Sequence, residues 1–279
     1  MNIQNKSSVT ALGTAFFRAL SCYENDDKIK GHDDLAKLFL STEIREKLND
    51  KAYRYITSQS IKKTTYAYII ARTDYFDELF ASALKNHIPQ IVNLGTGYDS
   101  RAYRYKCLMN STKIFEVDSS STQIKKIHIL NQNIIDHSHV TFVPIDFERD
   151  DLEQMLLKSG FDKRQKSLFI LEGVTPYLTF EAFCSMLNSI KSISHHEDIL
   201  AFDYINCKPN KKLILNEGEI IQFGMIKEEM TSFINNQGFS VLENLVPFEI
   251  ESRYLFCSNG ELFSKTDGTM NLLMLRFSF

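Results

Sequence analysis

From Gln90 onward the chain repeats one pattern, a short run of β-branched and aromatic residues followed by a longer amphipathic stretch. The runs are QIVNL, KIFEVD, VTFVPID, SLFILEG and DILAFDYI. Alternation of this kind predicts an α/β fold whose mostly parallel sheet is wrapped by helices, because parallel neighbours need helix-length crossovers that cover both faces. Residues 10–86 read differently. They contain no proline and only Gly13 and Gly31, and apolar residues recur at helical spacing in DDLAKLF, IREKLNDKAYRYI and TTYAYIIARTDYFDELFASALK. Near the other end, MTSFINNQGFSVLENLVPF reads as a helix stopped at Gly238 and then a strand, and MNLLMLRFSF as a final alternating strand. The proline, glycine and charge of CKPNKKLILNEGEIIQFG mark a loop or small insertion. The expected organisation is a helical region and cap over residues 1–86, then a core over residues 87–279 with an insertion near 207–224.

The chain has 279 residues, 43% of them hydrophobic, enough for one sizeable core or a core plus a cap. Its 32 basic and 35 acidic residues are dispersed, with a net charge of −3, so no polyanion footprint exists and nucleic acid is not an expected partner. The doublets Lys62–Lys63, Lys125–Lys126 and Lys211–Lys212 are expected on solvated faces. The opening MNIQNKSSVT lacks the basic-then-apolar order of a signal peptide, and no apolar run approaches the ~20 residues of a membrane span. A cytoplasmic protein without a membrane partner is expected. Cys22, Cys107, Cys184, Cys207 and Cys257 are odd in number and form no CxxC, which suits reduced thiols. The histidines fall in polar contexts such as HSH at 137–139 and HH at 195–196, so no metal site is expected.

The first strand breaks on two glycines in LGTGYDS. Gly95, Gly97 and Ser100 stand where a dinucleotide fingerprint has three glycines, so a tight turn capped by Asp99 or Ser100 and a cofactor loop are both compatible with these residues alone. The next strand ends in Asp118, where nucleotide-binding sheets place a carboxylate for the ribose hydroxyls. Two further strands end at Asp146 and Glu172. A pyrophosphate would be repelled by such a row of acids at about 1 to 4 kcal/mol per close pair. S-adenosylmethionine has no phosphate. Its ribose diol, adenine amine, ammonium and sulfonium are donors or cations that acids satisfy, and its one carboxylate needs a base, for which Arg72 is a candidate.

The stretches SSVTALGTAFFRAL, ARTDYFDELF, QIVNLGTGYDSRAYRY, FEVD, VPIDF and FILEGVTPYL, in this order, resemble the leucine carboxyl methyltransferase family, bacterial members of the class I S-adenosylmethionine-dependent O-methyltransferases. The resemblance implies a Rossmann-like class I methyltransferase sheet, mostly parallel with an antiparallel last strand, plus an N-terminal helical cap. It also implies that Arg72 pairs with the cofactor carboxylate, that Gly95 and Gly97 pass under its amino-acid end, and that Asp118 holds the ribose. Asp146 and Phe147 would flank the adenine, and Glu172 would face the ammonium or the transferring centre. Arg101 and Arg104 match the family motif as well and are expected to tie the fold together by salt bridges.

Methyl transfer from a sulfonium chiefly requires alignment and exclusion of water. A carboxylate acceptor needs no base, whereas a hydroxyl does. No catalytic base is evident, which leaves a carboxyl or a hydroxyl of a small molecule as the acceptor. Arg18 and Tyr177 are candidate acceptor contacts, and Phe16, Phe17, Tyr53, Tyr55, Tyr66 and Tyr68 are either a cap over the acceptor or ordinary core. The alternatives are methylation of a protein C-terminal carboxyl, a nicotinamide-dependent oxidoreductase, and a cofactor-binding protein without transfer.

Overall fold

The computed structural model describes the backbone of residues 3–147, 149–207, 214–215 and 219–278, and the side chains of residues 10–147, 149–207 and 221–278. The strands are β1 (Gln90–Leu94), β2 (Lys113–Asp118), β3 (Val140–Pro144), β4 (Ser167–Leu171), β5 (Ile199–Ile205), β6 (Ile214–Leu215), β7 (Glu219–Ile220), β8 (Phe239–Leu245) and β9 (Met270–Phe277). All but β6 and β7 form one seven-stranded sheet in the order β3-β2-β1-β4-β5-β9-β8. Strands β1 to β5 are parallel, and β9 lies antiparallel to both β5 and β8. Strands β6 and β7 pair only with each other, inside the expected insertion. The chain leaves β1 toward β2 and β3 on one side and returns to β4 and β5 on the other. The crevice outside the carboxyl ends of β1 and β4 is therefore the topological switch point, where open α/β sheets bind ligands.

Helices cover both faces: α1 (Ile3–Ser21), α2 (Thr42–Asn49), α3 (Lys51–Ser60), α4 (Lys63–Lys85), α5 (Arg101–Arg104), α6 (Ser120–Gln132), α7 (Leu152–Lys158), α8 (Phe180–Ile193), α9 (Lys227–Asn236) and α10 (Pro247–Tyr254). Side chains alternate along β1, so Ile91 joins an apolar cluster containing Ala15, Phe76, Ile114 and Ile170, while Val92 and Leu94 join another containing Phe115, Phe169 and Phe183. The first cluster takes in α1 and α4 and runs without a break across residue 86 into the sheet. Helix α4 has no side-chain N-cap but buries Tyr66, Phe76 and Phe80 almost completely. At about 2 to 3 kcal/mol per buried ring, packing rather than local propensity holds it.

Several elements differ from the periodicity. IREKLNDKAYRYI is two helices, because Asp50 turns extended and its carboxylate accepts the Ala52 N–H at 2.9 Å, capping α3 as α2 ends. DDLAKLF winds only one 3-10 turn, Ala36–Phe39, where the Asp33 carboxylate accepts the Ala36 N–H at 3.0 Å. VPF is not the end of a strand but the start of α10, where Pro247 occupies the first turn and the Glu249 carboxylate accepts the Val246 N–H. Gly238, at φ +84°, does terminate α9 and lead into β8. Lys126 corrects the expectation of a solvated doublet: Lys125 is exposed, but Lys126 is buried with its Nζ 2.7 Å from Glu116 of β2. Lys211–Lys212 lies outside the described residues. Among the described residues no helix is long and apolar enough to cross a membrane.

Candidate cofactor site

The glycine loop begins where β1 ends. Gly95 and Gly97 both have positive φ, +67° and +48°, a region that side chains bearing a Cβ rarely enter. The N–H groups of Gly95 and Thr96 donate to the Val117 carbonyl of β2, at 2.8 and 3.3 Å. Asp118, at the end of β2, then clasps the loop: Oδ2 accepts the Gly97 N–H and Oδ1 the Ser119 N–H, each at 2.6 Å. Glycine loop and acid are thus joined, and each carboxylate oxygen retains a lone pair for a further donor.

Close approach at Gly95 has a protein cause. A Cβ there would lie 2.4 Å from Cγ2 of Val174, in the turn after β4, and one at Gly97 would lie 3.2 Å from Ala11 of α1. Ser100, in the third fingerprint position, is fully buried and does not cap α5. Its hydroxyl donates to Asp33 at 2.6 Å and accepts from Arg104 Nε at 2.8 Å. Asp99 does the capping, accepting the Arg101 N–H at 2.7 Å.

Behind this loop runs a chain of buried ion pairs. Arg18 meets Asp33 at 2.9 Å, Asp33 meets Arg104 at 3.3 Å, and Arg104 meets Asp77 at 2.8 Å. Asp77 meets Arg101 at 2.7 Å, and Arg101 also meets Asp99 at 2.6 Å and Glu172 at 2.7 Å. Glu172 is shared with Arg72 at 3.0 Å, and Arg72 reaches Asp203 of β5 at 3.2 Å. No side chain in the chain is more than 13% exposed, so solvent screens it little. Arg101 and Arg104 tie the fold as expected, and Arg101 also grips Glu172.

Burial works against charge throughout, and neighbours decide the outcome. At Asp99 burial is the largest single influence and raises the carboxyl, but Arg101, Lys126, Arg18 and the Arg101 N–H together outweigh it and hold the carboxyl well below its usual range. At Arg72, burial is overcome by Glu172 and Asp203, which raise the guanidinium further. Burial raises Asp203 against the pull of Arg72, and burial with the Asp203 charge beside it pushes the Tyr68 phenol well above its ordinary value. Asp74, flanked on α4 by Asp77 and Glu78, is pushed up to about 8 by burial first and those like charges second.

Of the residues expected to touch cofactor, Arg72, Gly95, Gly97, Asp118 and Glu172 line the switch point. Asp203 also accepts the Gly173 N–H at 2.6 Å and the Tyr68 O–H at 3.0 Å, so one carboxylate orients both Arg72 and the turn after Glu172. Asp146 and Phe147 lie just past β3, part-exposed, with Phe147 packed on the second cluster and Asp146 3.7 Å from Arg149. Arg18, expected at the acceptor, is instead buried and engaged: besides Asp33, it donates to the Tyr98 carbonyl of the glycine loop at 2.8 Å. Tyr177 is half-buried in the 3-10 turn Thr175–Tyr177 and accepts from Gln222 Nε2 through its carbonyl, at 2.7 Å. Of the N-terminal aromatics, Tyr66 and Tyr68 are buried while Tyr55 is exposed. Asp33, Asp77 and Asp203 were not singled out from sequence; an acid inside the apolar run ILAFDYI is the one signal that marks Asp203, because a charge at a strand interior demands partners.

Three atoms at the site fit a polar ligand. Both amide atoms of Asn93, one residue before the strand end, and Oγ1 of Thr96 are buried without a hydrogen-bond partner among the described residues. Arg72 donates from Nε to Glu172 and from Nη1 to Asp203, which fixes the plane of its guanidinium at the crevice.

The sequence pattern of leucine carboxyl methyltransferases matches residues 11–191, which include the greater part of α1, all of α4, the glycine loop and every strand-end acid described above. The chain belongs to the leucine carboxyl methyltransferase family. Like its relatives, this family member is an S-adenosyl-L-methionine-dependent methyltransferase, so the nicotinamide alternative falls. The protein YktD of Bacillus subtilis (strain 168), provisionally named an S-adenosyl-L-methionine-dependent methyltransferase, is 29% identical over 290 aligned positions, covering 92% of this chain and 93% of YktD. A protein of Mycobacteroides abscessus with the same provisional name is 29% identical, covering 73% of this chain and 68% of that protein. A crystal structure from Thermobifida fusca, of a protein provisionally named a methyltransferase, superposes with a TM-score of 0.58 at 11% identity, over 95% of this chain and 94% of that one. That likeness concerns the fold: an α/β class I methyltransferase sheet with antiparallel C-terminal strands and N-terminal helices.

Proposed function

We propose that this family member transfers the methyl group to an oxygen, carboxyl or hydroxyl, of a small-molecule acceptor, with the switch-point crevice as the cofactor site and the helices before residue 86 as the cap over the acceptor. The observation that carries the reading is the Arg72–Glu172 pair beside the glycine loop. Side by side, a guanidinium and a carboxylate form the mirror of an amino acid zwitterion, so Arg72 takes a carboxylate and Glu172 an ammonium. Asp118 keeps acceptor capacity for a ribose diol. Asp146 and Phe147, one strand farther out, suit the adenine, the first as acceptor for its amine and the second as an apolar wall. When bound, S-adenosylmethionine supplies an electrophilic methyl on a sulfonium. The protein's part is to align, to exclude water and to hold charge, which the buried pairs and the Asp203-anchored turn do without moving a proton.

A carboxyl acceptor is favoured over a hydroxyl because no hydrogen bond or ion pair joins a histidine to Arg72, Asp118, Glu172 or Asp203 among the described residues. A carboxylate needs no base. Tyr177, in the turn that follows Glu172, is the candidate contact to the acceptor. The test is transfer of labelled methyl from S-adenosylmethionine into a metabolite extract, followed by mild base. Label released as methanol supports a methyl ester, base-stable label points to a hydroxyl, and label confined to protein C-termini overturns the small-molecule reading.

A further inference from the structure

The ion-pair chain does not balance. Against Arg18, Arg72, Arg101 and Arg104 stand Asp33, Asp77, Asp99, Glu172 and Asp203, one carboxylate in excess. Among the described residues, the groups nearest to it do not repair the deficit. Lys126, a cation outside the chain whose charge acts on Asp99, is matched by Glu116 at 2.7 Å, and Asp118 adds a further carboxylate at the loop. Each acid of the chain meets only donors. Asp203 accepts from Gly173, Tyr68 and Arg72, Asp99 from the backbone and guanidinium of Arg101, and Asp77 from Arg101, Arg104 and Tyr105. That is the environment of an acceptor-only carboxylate.

We propose that this excess buried carboxylate makes the site select the methyl donor over its demethylated product by charge, binding the sulfonium form and loosening once the sulfur is neutral. The inference rests on the cofactor placement proposed above. In the transfer the methyl carbon leaves sulfur for the acceptor oxygen, and the C–S bonding pair stays on sulfur. The ligand's net charge falls from one positive, the sum of sulfonium, ammonium and carboxylate, to zero. The protein's own charge does not change, so the attraction that favoured entry is absent on exit. For a unit charge within about 10 Å at an effective dielectric of about 20, the preference is roughly tenfold. A site of this kind limits inhibition by its own product.

Calorimetry on the full chain with three probes tests the inference: S-adenosylmethionine, S-adenosylhomocysteine, and sinefungin, which carries an ammonium in place of the sulfonium. The wild-type protein is expected to bind the two cationic probes about tenfold more tightly than S-adenosylhomocysteine. Asp99→Asn and Asp203→Asn, at different places in the chain, each remove the excess charge, and each is expected to bring that ratio toward one. Damage to the site's shape lowers all three affinities together and leaves the ratio alone. A wild-type ratio near one, or a ratio that survives in both variants, overturns the inference while leaving the cofactor placement standing. If the wild-type protein binds none of the probes, the placement fails and the inference with it. Circular dichroism verifies that the variants fold, and the wild-type comparison of sinefungin with S-adenosylhomocysteine stands without them.

Discussion

Gly95→Ala is expected to destabilise the protein with no cofactor present. Two costs add. The backbone at φ +67° is left-handed, which costs an L-residue about 1 to 2 kcal/mol. The new methyl would also start 2.4 Å from Cγ2 of Val174, well inside contact distance, and overpacking of this sort costs about 1 to 3 kcal/mol after relaxation. The sum is about 2 to 5 kcal/mol, a large share of a typical folding free energy. Val174→Ala separates the parts, because it removes the obstructing methyl and leaves the backbone strain. In that background the substitution should cost only about 1 to 2 kcal/mol, a coupling of about 1 to 3 kcal/mol between neighbours. Urea unfolding of the four proteins in the double-mutant cycle measures it. Equal costs in both backgrounds would refute the Val174 contact. No cost in either would mean that glycine is required only for the ligand's approach.

Ser100→Gly removes a fully buried hydroxyl that joins Asp33 to Arg104, so it should cost about 1 to 3 kcal/mol in urea unfolding rather than merely loosen the start of α5; an unchanged midpoint would show the hydroxyl to be idle. Asp118→Ala should weaken S-adenosylmethionine binding ten- to hundredfold, about 1.5 to 3 kcal/mol, and calorimetry returning wild-type affinity takes Asp118 out of the site. Asp74 has its folded pKa raised to about 8, so its contribution to stability is whole below about pH 4, the unfolded value, and is lost as pH rises toward 8. Asp74→Asn should therefore leave the melting temperature unchanged near pH 4 and raise it near pH 8, by about 1 kcal/mol or more in stability because the group is part-exposed; a constant offset across that range contradicts the raised pKa. With a carboxylate acceptor, single-turnover methyl transfer should vary little between about pH 6 and 9, whereas a rise near tenfold per unit identifies a phenol.

What the sequence determined by itself is local. Alternating runs from Gln90 specified a parallel sheet because strand and helix periodicities are set by residues a few positions apart, and LGTG followed by FEVD marked a glycine turn beside a strand-end acid because β1 and β2 are neighbours in the sheet. Row-forming acids at Asp118, Asp146 and Glu172 were legible for the same reason, since each ends a run whose direction the pattern already states. Tertiary structure alone decided who partners whom. Glu172 was readable as a strand-end acid, but not as the point where Arg72 and Arg101 converge, because those side chains come from α4 and α5. Arg18 read from the sequence as a candidate acceptor contact, but the structure buries it against Asp33 and the Tyr98 carbonyl. Lys126 looked solvated beside Lys125, yet one step around α6 turns it inward onto Glu116. Even part of the need for glycine at 95, beyond its left-handed backbone, came from Val174, a residue from another strand's end. A hydrophobic period records which face is buried, but a buried charge is stable only through partners brought in from distant segments, and no local pattern encodes them.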